Sequence, residues 1–155
     1  MAVVATYASS RTNQIGTSEL FIKSYDFDPD ATTATDIAWV DMAKYEYIVM
    51  SFCRTVGVSD LTMKVIANTD SDGGGTDDYV IKAVTLAAQP DAVGDNVFVE
   101  VHADEIAHAA AKAGVALRYV SLSLAVATGT DEGICTYVAK AKNAAEDTTA
   151  DAVSA

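Results

Sequence analysis

Apolar and polar residues alternate with a period of two through most of the chain after residue 36, the spacing that sends successive side chains to opposite faces of a strand. Ile37-Ala38-Trp39-Val40 opens the series. In Tyr45 to Arg54, Tyr47, Val49, Ser51 and Cys53 alternate with Ile48, Met50 and Phe52. Both sets are largely apolar, so this segment is expected to be a central strand buried on both faces. Leu61 to Ala67 places Leu61, Met63, Val65 and Ala67 on one side and Thr62 and Lys64 on the other, a half-buried strand. Tyr79 to Leu86, Val97 to Val101, Leu117 to Val126 and Ile134 to Ala141 continue the pattern. Ala103 to Ala113 breaks it and reads as a short helix, with Asp104 to cap its start and Gly114 to end it.

Turn chemistry separates these segments at Gly57, at Asn68 to Asp78, at Gln89 to Asn96 and at Thr128 to Gly133. Strands spaced by about 10–20 residues, with turns between them and no long helical crossover, predict an all-β fold. The expected architecture is an antiparallel β-sandwich or jelly roll with one short helix. Residues 1–35 are rich in Thr, Ser, Asn and Asp and read as an extended N-terminal arm, with 36–142 as the sandwich domain and 143–155 as a C-terminal tail.

Composition sharpens this picture. The 155 residues suit one domain, and 28 Ala, 18 Val, 8 Ile and 16 Thr against 6 Leu favour strands over helices. The net charge of −12 would repel a phosphate backbone or an anionic membrane surface, so neither nucleic acid nor membrane is an expected partner. Met1 to Arg11 lacks a basic stretch followed by an apolar run, so no secretory signal is expected. No segment approaches the roughly 18 uninterrupted apolar residues of a membrane span.

Candidate chemistry is sparse. Asp70, Asp72, Asp77 and Asp78 could offer oxygen ligands to calcium, but their spacing is not that of an EF-hand, and Asp and Gly are also what solvated turns use. His102 and His108 fall on different faces of a helix and have no evident third ligand. No Gly-x-Ser-x-Gly elbow is present, and Gly73-Gly74-Gly75 lacks the Lys-Ser/Thr of a phosphate loop. Asp104/Glu105 and Asp131/Glu132 are adjacent pairs whose side chains diverge in a strand or turn. No catalytic residue, cofactor site or metal site is therefore expected. Cys53 and Cys135 read as buried free thiols, with a bridge between two sheets as the alternative.

From residue 36 onward the order of features resembles a known class. Trp39-Val40-Asp41-Met42 precedes Lys44-Tyr45-Glu46-Tyr47, and Leu61 to Ala67 runs into Asn68-Thr69-Asp70-Ser71-Asp72-Gly73. Val99-Glu100-Val101 with Asp104-Glu105-Ile106 follows, then Leu117-Arg118-Tyr119-Val120-Ser121-Leu122 and Ile134-Cys135-Thr136-Tyr137-Val138. Over about two-thirds of its length the chain resembles the decoration, or cement, proteins of tailed bacteriophages, small β-sandwich components of the virion. The resemblance implies a non-enzymatic virion protein, made in the host cytoplasm, that binds major capsid protein on the capsid surface and stabilises the shell, as a homo-oligomer. A tail or head-to-tail connector component is the alternative, and a carbohydrate-binding sandwich for host attachment ranks below it. The arm would supply the partner interface, through Tyr7, Phe21, Tyr25 and Phe27. The Ala-rich stretch Ala107 to Ala116 departs from the family's pattern.

Overall fold

A computed structural model describes residues 20–29, 33–74, 78–84 and 92–142. They form β1 (Leu20–Phe27), β2 (Thr35–Asp36), β3 (Val40–Asp41), β4 (Tyr45–Val56), β5 (Leu61–Asn68), β6 (Tyr79–Ala83), β7 (Asn96–His102), α1 (Ala103–Ala113), β8 (Tyr119–Val126) and β9 (Glu132–Ala141). One sheet has the order β1-β9-β4-β7. The second has the order β2-β8-β5-β6, with β3 also paired to β8. Every pairing is antiparallel. With β2 and β3 taken as two halves of one interrupted strand, consecutive strands are shared between the sheets in the order that defines a jelly roll.

The core lies between the sheets and follows the period of two. Ile48, Met50 and Phe52 of β4, Cys135, Tyr137 and Ala139 of β9 and Val101 of β7 face inward from the first sheet. Leu61, Met63, Val65 and Ala67 of β5 meet them, with Val120, Leu122, Leu124 and Val126 of β8. Each large apolar side chain buried here contributes roughly 1.5–3 kcal/mol. The Phe52 ring lies across Gly133, where any Cβ would collide with it, so the bare backbone of β9 is what admits the ring.

Between β2 and β3 the chain leaves the ladder at residues 37–39. Ile37 N–H still donates to Leu122 O at 2.9 Å, but the Leu122 N–H has no strand opposite it and donates instead to the Tyr137 hydroxyl at 2.9 Å. A buried side chain of one sheet thus completes the backbone bonding of the other. Tyr137→Phe is expected to cost about 1–3 kcal/mol, read by urea unfolding, because it leaves that buried N–H unpaired. An unchanged midpoint would show that another acceptor replaces the hydroxyl.

Two expectations change. The arm expected over residues 1–35 does not extend that far: Leu20–Phe27 is an edge strand in full register with β9, from Leu20 against Lys140 to Phe27 against Gly133. Its physical basis is the alternation Phe21, Lys23, Tyr25, Phe27, which turns three aromatic side chains toward the core. Phe27 is 2% exposed and meets Phe52 edge-on at 5.7 Å; Phe21 packs on Tyr45 and Tyr25 on Tyr137. Phe27 is thus spent on the chain's own core, while Phe21 and Tyr25 pack against it and stay partly exposed. Tyr7 and the tail 143–155 lie outside the described residues. The helix spans the expected residues, but His102 rather than Asp104 is its N-cap, and Glu105 accepts the His102 N–H at 2.9 Å. Gly114 closes it at φ 72°.

Candidate functional site

The sequence candidates do not converge. In the β5–β6 turn the buried Asn68 side chain takes the organising role: it accepts the Asp70 N–H at 3.0 Å and donates to Asp78 Oδ1 at 2.8 Å and to Gly73 O at 3.3 Å. Asp72 accepts the Gly74 N–H. Among the described residues no three His, Cys, Asp or Glu side chains come together as a metal site, and Asp77 lies outside those residues. His102 sits beside Glu100 and against the Tyr47 ring, whereas His108 lines an open cleft of about 660 Å³ between α1 and β6.

Cys53 and Cys135 occupy neighbouring strands, with Cys53 opposite Ile134 and Cys135 opposite Phe52. They point to opposite faces of one sheet and both are free thiols. Burial pushes the Cys135 thiol up to about 12, which keeps it protonated and unreactive. Cys53 is partly exposed.

Three segments, 39–42, 68–73 and 117–118, meet at one end of the sandwich. Arg118 donates to Asp41 through Nε and Nη2, both at 2.7 Å, and its own N–H bonds Asn68 O. Trp39 lies against Gly73 at φ 74°, where a Cβ would stand 2.7 Å from the indole. The Arg118 hydrogen bonds hold the Asp41 carboxyl below its ordinary value of 3.8, helped by the Ala43 N–H. A carboxyl lowered in the folded state stabilises the fold above its unfolded value, and that contribution fades as the pH drops through the folded one. The melting temperature of the unmodified chain is therefore expected to fall more steeply between about pH 5 and pH 2 than that of Asp41→Asn. Parallel curves would contradict the pairing.

A constellation the sequence reading missed lies at the other end. The Arg54 side chain, 0% exposed, points inward from β4 toward Asp131, 4% exposed, with Nη1 3.5 Å from Oδ2. Arg54 Nη2 donates to Ser59 O at 2.7 Å, and the Ser59 hydroxyl hydrogen-bonds Asp131. Gly57, at φ 85°, passes so close to the Asp131 carboxylate that no Cβ fits. The group ties the β4–β5 turn to the β8–β9 turn. Sealed from solvent and without a histidine, it has no substrate to act on, so its chemistry is structural.

Among the described residues, a broad feature open to a partner is the outer face of the β1-β9-β4-β7 sheet. Strand register lays its side chains in rows: Ile22, Val138, Val49 and Glu100 form one, and Ser24, Thr136, Ser51 and Phe98 the next. Asp26, Ile134, Cys53 and Asn96 follow on one side, and Lys140, Tyr47 and His102 on the other. Phe98 is 66% and Ile134 42% exposed. Ser24 and Thr136 hydroxyls bond each other at 3.1 Å, and Ser51 donates to Thr136 O at 3.3 Å, so the small polar row is satisfied within the sheet. A second, shallower cleft of about 320 Å³ lies at the Asp41–Arg118 end, lined by Met42, Ile106, Leu117, Arg118 and Lys142.

No family model matches the chain, and no curated protein matches it. Solved structures with a similar arrangement include a Bacillus endospore appendage from a novel family of disulfide-linked pili, at 14% identity and TM-score 0.43, covering 83% of this chain and 93% of that one. The infectious bursal disease virus VP2 subviral particle is similar at 10% identity and TM-score 0.45, over 81% of this chain and 33% of that chain. The SPBc2 prophage-derived protein YomS is similar at 12% identity and TM-score 0.37, over 77% and 94%. At such scores and identities these likenesses assign no function.

Proposed function

We propose that this chain is a non-enzymatic virion structural protein that decorates a phage capsid shell and stabilises it through contacts with the major capsid protein. The observation that carries the reading is the jelly-roll strand order, an architecture recurrent in viral capsid proteins, bearing a broad sheet face with an uncharged centre on a strongly acidic chain. The step from fold to role is one of analogy. The resemblance of the sequence to tailed-phage decoration proteins supports it, and four of the residues that carry it make structural contacts, Trp39 on Gly73 and Arg118 on Asp41. The acidic surface fits a protein displayed in many copies outside a packaged genome, since it stays soluble and does not compete for nucleic acid.

With Leu20–Phe27 paired into the sheet as β1, residues 1–19 of the expected arm are assigned to engage the shell, by strand addition or by wrapping a neighbour. A chain beginning at residue 20 keeps β1 and tests this. It is expected to melt as the full chain does and to lose co-sedimentation with capsid shells. Retained binding would overturn the arm as the anchor and move the contact to the folded domain.

A further inference from the structure

We propose that the outer face of the β1-β9-β4-β7 sheet is a self-association surface, on which a second copy of this chain packs face to face about a twofold axis. The inference does not rest on shell binding and holds for the protein in solution.

The chain carries a net charge of −12, yet the two central strands present Val49, Ser51, Cys53, Ile134, Thr136 and Val138 on this face without a charged side chain among them. The charges that do occur, Asp26, Glu100, Glu132, Lys140 and His102, stand at its margins and include both signs; Lys140 pairs with Glu46 at 2.8 Å and His102 sits beside Glu100. A partner must then be flat and uncharged at its centre, as this same face is. Ordinary surfaces of so acidic a chain interrupt apolar residues with carboxylates, because unbroken apolar patches promote association.

Across β1, β9 and β4 the row Ile22-Val138-Val49 is a ridge of β-branched side chains and the adjacent row Ser24-Thr136-Ser51 a trough of small ones; at the β7 edge the first row ends in Glu100 and the second in the exposed Phe98. A twofold axis that lies in the interface, runs across the strands and passes between these rows sets each copy's ridge in the other's trough. The same operation brings Lys140 of one copy beside Asp26 of the other, because they sit on neighbouring strands at opposite ends of the face. Sheets stacked in this way keep their strands within about 30° of alignment and interdigitate at about 10 Å. Self-complementarity under one rotation is what an isologous interface requires.

Four strands at about 4.8 Å and seven residues at about 3.3 Å give a face of roughly 19 by 23 Å, or about 440 Å² in projection. Two copies in register cover about 900 Å², close to the roughly 1,000 Å² at which specific association begins. The pair is therefore a reversible one in solution.

The test uses the full chain and its own thiol. Cys53 lies on this face, whereas Cys135 is sealed in the core, so alkylation by iodoacetamide reports on the face alone. Between about 1 and about 300 µM the unmodified protein is expected to pass from monomer to dimer in sedimentation velocity. Over the same range Cys53 alkylation is expected to slow by about fivefold or more as dimer replaces monomer. Thr136→Arg fills the trough with a charge and is expected to stay monomeric and to alkylate at one rate throughout. A chain that remains monomeric with concentration-independent alkylation overturns the proposal. So does Cys53 protection already present at about 1 µM and relieved in a chain beginning at residue 20, which would assign the face to the chain's own arm.

Discussion

The Arg54→Leu protein is expected to lose about 3–5 kcal/mol of stability, because it strands the Asp131 carboxylate in the interior without its countercharge. For a chain of this length that corresponds to a fall in melting temperature of roughly 10 °C. The pair is sealed, at 0% and 4% side-chain exposure, so water cannot take Arg54's place. Removing one charge and removing both are different experiments. The double change Arg54→Leu with Asp131→Asn is expected to recover a large part of the loss, since a neutral amide can still accept from Ser59 without a buried charge. A single substitution within about 0.5 kcal/mol of the unmodified chain would contradict the assignment of this pair as the tie between the two turns.

Loss of β1 is expected to be larger still. A chain beginning at residue 28 lacks the whole strand that pairs with β9 from Leu20 to Phe27. It also lacks Phe27, the edge-on partner of Phe52, and Tyr25, which covers Tyr137. Deleting one buried Phe side chain costs about 3–5 kcal/mol by itself, and here a hydrogen-bonded edge goes with it. The expected outcome is a chain without a cooperative thermal transition, compared with one beginning at residue 20 that keeps it. A sharp transition in the shorter chain would show that β1 is an accessory to the sandwich and not one of its walls.

Much of this architecture was legible in the sequence because strand burial writes itself as a period of two. Leu61 to Ala67 and Leu117 to Val126 show it cleanly, and Gly114 marks the helix end by the left-handed conformation it supplies. The strand order was not legible, since consecutive strands change sheets through turns whose local residues do not encode the crossing. β1 escaped because its alternation of Phe21, Tyr25 and Phe27 is diluted by Lys23 and set among Ser and Asp. β4 is central, as its doubly apolar pattern indicates, but its second apolar set, Tyr47, Val49 and Cys53, is only partly covered and forms the open face. Pattern alone cannot distinguish a side chain buried within the chain from one held ready for another. The Arg54–Asp131 pair was invisible because its members meet only through the register of β4 against β9, although an arginine ending an apolar strand beside a glycine turn was a signal of a buried countercharge.

The most direct test of the proposed shell-decorating role is to titrate the full chain onto undecorated phage capsid shells, pellet the shells and count the bound copies. The account predicts saturation at a whole multiple of the shell's symmetry-related sites. It is contradicted if the protein stays in the supernatant at every concentration, or binds in proportion to added protein without saturating.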